Sequence, residues 1–399
     1  MKLPHADWQG RPGLAELLQV LGAGDGETRY VGGCVRDTLL GLPVSDVDLA
    51  TRLAPEEVMA RLKRARIKAV PTGLAHGTVT AVVEGKPVEV TTLRRDVSTD
   101  GRRATVAFTD DWREDAARRD FTVNALSADP LSHDVHDYFG GLDDVGARRI
   151  RFIGDPLTRI AEDHLRILRF FRFHARFSQG APDAAGLEAC AARANDLMAL
   201  SRERIADEMI KLLALADPAP TVALMVEHKI LKPVLPEIGA EGAARLAALI
   251  EREAAAGLPG DPLRRFAALL PADPEVAAWV GARLRLSNKA AKRLASAAAR
   301  DAEEGATPEV LAYRLGRDEA IDRLLLGNGD PAVAASLTGW ERPRLLIGGG
   351  TLIALGLTPG PIVAKTMQEV QRLWAEAGFP AGEADQQALA RDAVARALA

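Results

Sequence analysis

The sequence predicts an α+β protein, with a mixed sheet and its helices in the first 150 residues and an all-helical chain after them. Three observations carry this expectation. Short runs rich in Val and Thr alternate with period two only before about Asp155. Beyond it, amphipathic Ala- and Leu-rich patterns follow one another, with prolines at the expected helix starts. The composition, 47 % hydrophobic and 27 % charged over 399 residues, is that of a folded chain with room for two or three domains.

The elements are expected in this order. Arg29–Val31 is a strand that runs into the pair Gly32–Gly33, and a helix begins near Cys34. Pro55–Arg64 is a helix with Thr51 near its start, and Ile67–Val70, His76–Glu84 and Pro87–Leu93 are strands. Asp111–Ala128 reads as a further helix. Pro156–Phe177 reads as one long helix, followed by Arg202–Leu215, Pro220–His228, Ala243–Ala256, Pro262–Leu269, Pro274–Leu284, Lys289–Glu304, Pro308–Arg314 and Pro361–Ala377. Breaks are expected near residues 150–156 and, more softly, around Asp217–Pro220, which gives segments 1–150, 151–217 and 218–399.

Charge and composition narrow the function. A net charge of −4 excludes a globally basic nucleic-acid-binding surface, so any nucleic acid must be met by local patches. The two cysteines, Cys34 and Cys190, lie far apart and no Cys/His group has zinc spacing, which fits a reducing, cytoplasmic setting. No apolar run reaches membrane-spanning length, and the N-terminus does not read as a signal peptide.

Three clusters carry chemistry. In RYVGGCVRDTLLGLPVSDVDLAT, two glycines at a strand-to-helix turn let backbone approach an anion, and Arg36 adds a charged donor. Ten residues on, Asp46 and Asp48 flank Val47, so in a strand both carboxylates share a face while Val47 and Leu49 turn to the core. Adjacent carboxylates repel unless a cation sits between them, and oxygen donors beside phosphates suit Mg²⁺. A lone D-x-D is as often a solvated strand end; the neighbouring glycine turn favours the metal. Glu89, opposite Val88 and Val90, is either a third carboxylate of that site or an ordinary solvent-facing residue.

In ARRDFTVNALS, Asp120 and Asn124 are four apart on the expected helix and share a face; by itself this reads first as a charged helix surface with a polar pair, and otherwise as a ribose contact with Arg118 or Arg119 in reach of a triphosphate. In RIAEDHLRILRFFRFHARF, Asp163, Arg166, Arg169 and Arg172 recur every three residues among apolar ones. Buried arginines need partners, either an anionic ligand or acids of the chain such as Glu162, Asp155 or Asp143. Asp163 and Arg166 together present an acceptor and a donor suited to the edge of a base.

The order GGCVRD, DVD, HGTVT, RRDFTVNA, EDHLRILRFFRF resembles the bacterial class II tRNA nucleotidyltransferase and poly(A) polymerase family, most closely its CCA-adding members. The resemblance spans residues 29–177. It implies a polymerase-β-like nucleotidyltransferase head over 1–150, a neck for base recognition over 151–217, and a body and tail that bind tRNA over 218–399. It implies Mg²⁺ on Asp46 and Asp48. Nucleotide contacts are implied for Gly32, Gly33, Arg36, Arg119, Arg169 and Arg172, base selection for Asp163 and Arg166, and ribose sensing for Asp120 and Asn124. Asp96–Ala104 falls where the family has a flexible loop linked to the change from C to A addition. The reaction implied is attack of a tRNA 3′-hydroxyl on the α-phosphate of CTP or ATP, with two metals and loss of pyrophosphate. The segment PTGLAHGTVTAVVEG resembles CCA-adding enzymes rather than poly(A) polymerases; a poly(A) polymerase, a partial CC- or A-adding enzyme, and a non-catalytic tRNA-binding protein are the competing readings.

Residues 281–300 hold six basic residues and no acidic one, so Arg283, Arg285, Lys289, Lys292 and Arg293, with Arg300, are expected either to form a phosphate-binding stripe for tRNA or to be a solvated helix face.

Overall fold

The structure is a computed structural model that describes residues 1–100, 103–301, 306–327 and 329–399, without the side chains of 96–100 and 103–106. It divides into two compact units, residues 1–208 with 228–234, and residues 209–227 with 235–399.

The strands of the first unit are β1 (Thr28–Val31), β2 (Asp48–Thr51), β3 (Lys68–Gly73), β4 (Thr78–Val83), β5 (Lys86–Thr92), β6 (Arg94–Asp100), β7 (Arg103–Phe108), β8 (Ser127–Ala128) and β9 (Val135–His136). Seven of them form one mixed sheet in the order β3-β4-β5-β2-β1-β8-β9, and β6 pairs with β7 as a separate ladder. The helices are α1 (Leu14–Val20), α2 (Gly33–Leu39), α3 (Pro55–Arg64), α4 (Trp112–Ala117), α5 (Gly141–Gly146), α6 (Pro156–Glu162), α7 (Arg166–Phe177), α8 (Ala184–Ala192) and α9, which starts in this unit (Arg202–Leu213).

Two pairings position the site. β1 runs antiparallel to β2, with Tyr30 opposite Leu49, so the end of β1 meets the start of β2. β2 runs parallel to β5, with Asp48 beside Glu89. The period-two pattern is obeyed: Val79, Ala81, Val88, Val90 and Leu49 are buried, while Glu89 is exposed. Phe121, Phe152 and Phe170 form a buried aromatic cluster that seats α7, with Phe152 stacked on Phe170 at 5.5 Å.

Several local expectations are corrected. The helix expected over Asp111–Ala128 stops at Ala117; Phe121 is extended, Thr122–Asn124 is a single 3₁₀ turn, and β8 follows. The Asp120 carboxylate takes the Phe121 N–H, so side chain replaces the helical backbone acceptor there. The helix expected over Pro156–Phe177 is broken at Asp163, which is extended (φ −151°, ψ 106°) and accepts the Leu165 N–H on its own carboxylate. Thr51 lies in β2; the residue that precedes the first turn of α3 is Ala54. Asp96–Ala104, expected as a loop, belongs to the β6–β7 ladder apart from Gly101 and Arg102, which lie outside the described residues.

In the second unit, after the end of α9, come α10 (Ala219–Glu227), α11 (Ala240–Ala255), α12 (Pro262–Leu269), α13 (Pro274–Arg283), α14 (Asn288–Ala298), α15 (Pro308–Leu315) and α16 (Arg317–Leu326), with four more described helices between Pro331 and Leu398. The helix expected over Lys289–Glu304 thus ends at Ala298, and residues 302–305 lie outside the described ones. Prolines do mark the starts: at 262, 274, 308 and 331 each sits in the first turn behind an Asp or Thr that caps the free N–H groups. The core between α11, α12 and α16 carries a buried charge network. Glu253 accepts from Arg264 and Arg265, and Asp322 accepts from Arg264 and Arg293.

Several side chains of the expected basic stripe have partners within the chain. Arg293 is spent on Asp322 and Asp261, Arg283 on Glu237 at 2.6 Å, and Arg300 on the carbonyls of Ala267 and Leu270 at the end of α12. Arg285, Lys289 and Lys292 are exposed, and Arg285 too has an interaction within the chain. A run of basic residues in sequence is therefore partly an internal scaffold. The described helices include none long and apolar enough to cross a membrane.

Candidate active site

The glycine turn and the acidic pair meet at one end of the sheet, as the antiparallel pairing of β1 and β2 requires. Gly32 has φ +67°, a conformation that favours glycine, and a Cβ there would stand 3.1 Å from Nη1 of Arg119. Cys34 is fully buried under this turn, its thiol against the carbonyls of Val31 and Asp48; burial pushes it up to about 12, so it is a packing residue and not a nucleophile.

Asp46 and Asp48 keep the expected alternation, with Val47 and Leu49 buried between and beside them, although Asp46 precedes β2 rather than lying in it. Asp46 is exposed and accepts from Ser45 at 2.8 Å; Asp48 is half-buried. Burial, then the charge of Glu89, push the Asp48 carboxyl up to about 6; Arg119 opposes this and Asp46 adds to it. Crowded carboxylates of this kind are short of a cation, and hard oxygen donors fit Mg²⁺. Among the described residues no three His, Cys, Asp or Glu side chains are placed to hold a metal ion together, so Asp46, Asp48 and Glu89 do not gather as a three-carboxylate site.

Arg119 closes the other side. Its Nη2 bonds Asp115 at 3.2 Å and its Nη1 the carbonyl of Asn124 at 3.3 Å, which leaves further N–H groups for an anion. Asp115 is buried and serves Arg118 as well, at 2.7 Å.

Asp120 and Asn124 come together, though not on a helix: Asn124 Nδ2 donates to Asp120 Oδ1 at 2.9 Å. The other Asp120 oxygen accepts Nε of Arg169 at 2.8 Å and its Nη2 at 2.6 Å. Burial alone would raise the Asp120 carboxyl, but Arg169 and the hydrogen bonds from Asn124 and Phe121 hold it below the usual carboxylate range. Its acceptor positions are filled from within the chain. Arg36 is likewise internal, 5 % exposed and bonded to Asp37 and Asn124.

The arginine row of α7 is satisfied by acids of the chain, so no ligand is required to balance it. Arg166 pairs with Glu162, Arg169 with Asp120, Arg172 with Glu208 at 2.6 Å, and Arg176 with Asp37 at 3.2 Å. Glu162 was among the acids the sequence offered; Glu208, Asp37 and Asp115 were not singled out, and only Asp37, beside Arg36, carried a local signal. Arg166 also donates to the carbonyls of Arg159 and Arg118, both at 2.9 Å, so three of its five N–H groups are used and two remain. Asp163 sits at the α6–α7 break, about one-third exposed, and accepts from Arg204 at 2.8 Å.

Residues 28–151 match the family described as Poly A polymerase head domain, and 183–241 match the one described as Probable RNA and SrmB-binding site of polymerase A. The mouse (Mus musculus) CCA tRNA nucleotidyltransferase 1, mitochondrial, is 32 % identical, over 95 % of this chain and 90 % of its own. The chain belongs to the tRNA nucleotidyltransferase and poly(A) polymerase family. Other members align in part: the CCA-adding enzyme of Oceanobacillus iheyensis is 41 % identical over 49 % of this chain and 48 % of its own. Among solved structures, the CCA-adding enzyme of Bacillus stearothermophilus in complex with CTP superposes with a TM-score of 0.74 at 27 % identity, covering 97 % of this chain and 99 % of that one. The mixed-sheet head and helical remainder expected of a family member are the fold observed.

Proposed function

We propose that the protein is a CCA tRNA nucleotidyltransferase that transfers CMP and AMP from CTP and ATP to the 3′ end of tRNA, with release of pyrophosphate. The supporting observation is 32 % identity to the mouse CCA tRNA nucleotidyltransferase over 95 % of this chain and 90 % of that one. Asp46 and Asp48 hold the divalent cation, taken to be Mg²⁺, with Glu89 beside Asp48 across the β2–β5 pairing. A divalent cation held by these carboxylates would supply a lowered pKa for the attacking hydroxyl and charge stabilisation on the phosphate. Arg119 meets the developing negative charge across from the Gly32–Gly33 turn.

Base choice rests on Asp163 and Arg166. Cytosine and adenine both present an exocyclic amine, which a carboxylate accepts; uracil and guanine present a carbonyl there, which it repels. The two uncommitted N–H groups of Arg166 donate to the ring nitrogen or carbonyl alongside. Arg169 and Arg172 hold this helix against Asp120 and Glu208, and Arg285, Lys289 and Lys292 contact the tRNA backbone. We place the activity in the cytoplasm, where the two buried, unpaired cysteines would remain reduced.

The deciding assay supplies tRNA lacking its 3′ end with CTP, ATP or both. Addition of two C and one A in the presence of both is expected. Long A runs on unrelated RNA would make it a poly(A) polymerase, C or A alone a partial enzyme, and binding without addition a non-catalytic protein.

A further inference from the structure

We propose that Trp279 stacks on an unpaired base of the tRNA, with Arg283 backing the other face of its ring. The proposal rests on the reading of the protein as an enzyme that acts on tRNA. Of the five tryptophans, Trp279 is the exposed one, at 58 %; Trp112 and Trp374 are buried, and Trp8 and Trp340 half-buried. An apolar side chain alone on a surface needs no explanation, but this one is built into a fixed arrangement. Arg283, one turn on along α13, lies over the indole with its guanidinium carbon 4.3 Å from the ring centroid. Its Nη2 donates to Glu237 at 2.6 Å, and both side chains are largely covered. The guanidinium therefore cannot swing away without giving up a partly buried ion pair. It covers one face of the indole, and with more than half of Trp279 in solvent the other face is open.

The surroundings choose the partner. From Pro274 to Ala298 the α13–α14 hairpin holds five basic residues and one acid, Glu275. Arg285, Lys289 and Lys292 among them are exposed. The two helices meet where Gly281 faces Ala291, a Cβ at 281 falling 3.2 Å from that of Ala291. That contact sets Trp279 within one residue of the level of Lys292, and Arg283 level with Lys289. A polyanion that lays its phosphates along these cations brings its bases to the height of the indole. The charge complementarity favours RNA over an apolar protein surface as the occupant. Stacking on an aromatic ring suits any base but needs it outside a duplex, so what is recognised is an unpaired nucleotide of a loop or junction. Trp279 carries no charge, so its contribution to affinity is independent of the counterion release that Lys289 and Lys292 govern.

The test is filter binding of tRNA, and of a blunt RNA duplex without loops, over a range of KCl concentrations. Wild type, W279A and W279F are compared, with thermal midpoints to confirm folding. W279A is expected to weaken tRNA binding by about fivefold to hundredfold at every salt concentration, with the slope of log affinity against log salt unchanged and duplex binding unmoved. W279F keeps an aromatic face and should stay within about threefold of the wild type. Unchanged tRNA affinity in W279A would overturn the proposal, as would an equal loss on tRNA and duplex, or a reduced salt slope. A wild-type dimer in size-exclusion chromatography that W279A dissociates, with tRNA affinity intact, would overturn it in favour of a protein interface. A wild type that binds neither RNA would overturn the tRNA reading itself, and this inference with it. Should W279A fail to fold, W279Q decides by the same criteria.

Discussion

Arg169 and Asp120 are joined by a two-nitrogen salt bridge, Nη2 at 2.6 Å and Nε at 2.8 Å from the same carboxylate oxygen, across 49 residues of sequence. The bond ties α7 to the segment that carries Asn124. Asp120 is buried, so truncating its partner strands a charge rather than merely removing a contact. Arg169→Ala should lower unfolding stability by about 3 kcal/mol, read by urea denaturation. The pH dependence has a definite sign. The folded-state carboxyl lies below its unfolded value, so its contribution is present above about pH 4 and is lost as pH falls through the lower folded value. Asp120→Asn should flatten that acid limb; an unchanged limb would mean the pair contributes nothing to it.

The Asp48 carboxylate runs the opposite way. Asp48 has its folded pKa raised to about 6 by burial and by Glu89. In the metal-free protein this group favours folding at low pH and disfavours it as pH rises through about 6. Asp48→Asn should therefore raise the unfolding free energy at pH 7.5 in EDTA by on the order of 1–2 kcal/mol, while reducing nucleotide addition by about a thousandfold or more. Adding Mg²⁺ should stabilise the wild type and leave the variant unmoved. A variant less stable than the wild type in EDTA would count against the crowded-carboxylate reading.

These opposite signs show what was legible in the sequence and what was not. Period-two burial around Val79, Val88 and Val90 was visible because each strand carries its own pattern. So was the alternation of Asp46, Val47, Asp48 and Leu49. The end of the helix at Ala117 was not, because the polar and apolar spacing of Arg119–Asn124 suits a helix equally well; past that end the Phe121 N–H goes to the Asp120 carboxylate and the Ala117 carbonyl accepts from Arg159. The break at Asp163 was hidden for the same reason. The partners of the α7 arginines were hidden by distance, Glu208 lying 36 residues from Arg172 and Asp37 139 residues from Arg176. Local spacing named the charges that needed partners but not the acids that supply them.

Base selection gives a third test. Arg166 has three N–H groups committed to Glu162, Arg159 and Arg118, so its remaining edge is held in a fixed direction. Arg166→Ala should weaken the preference for CTP over UTP by roughly tenfold to a hundredfold, the equivalent of one good bidentate base contact. Asp163→Ala should do so as well, since the repulsion of a carbonyl goes with the carboxylate. Competition between labelled CTP and UTP measures both; a preference that survives each change would remove the pair from base reading.

The basic run of 281–300 separates into residues that should govern RNA affinity and residues that should govern stability. Lys289 and Lys292 are exposed on α14, and a phosphate contact releases counterions in proportion to the charges involved. Lys289→Glu with Lys292→Glu should weaken tRNA binding and reduce the slope of log affinity against log salt by roughly 1.5–2, with the thermal midpoint little changed. Arg293 behaves differently because it is bonded to Asp322 at 2.7 Å, and Asp322 is wholly buried between α12, α14 and α16. Arg293→Met leaves that carboxylate with Arg264 alone, which should cost about 3 kcal/mol of stability while the salt slope stays as in the wild type. Filter binding over a range of KCl concentrations, run beside urea denaturation on the same variants, distinguishes the two classes. A salt slope that falls with Arg293→Met and not with the lysine pair would reverse the assignment.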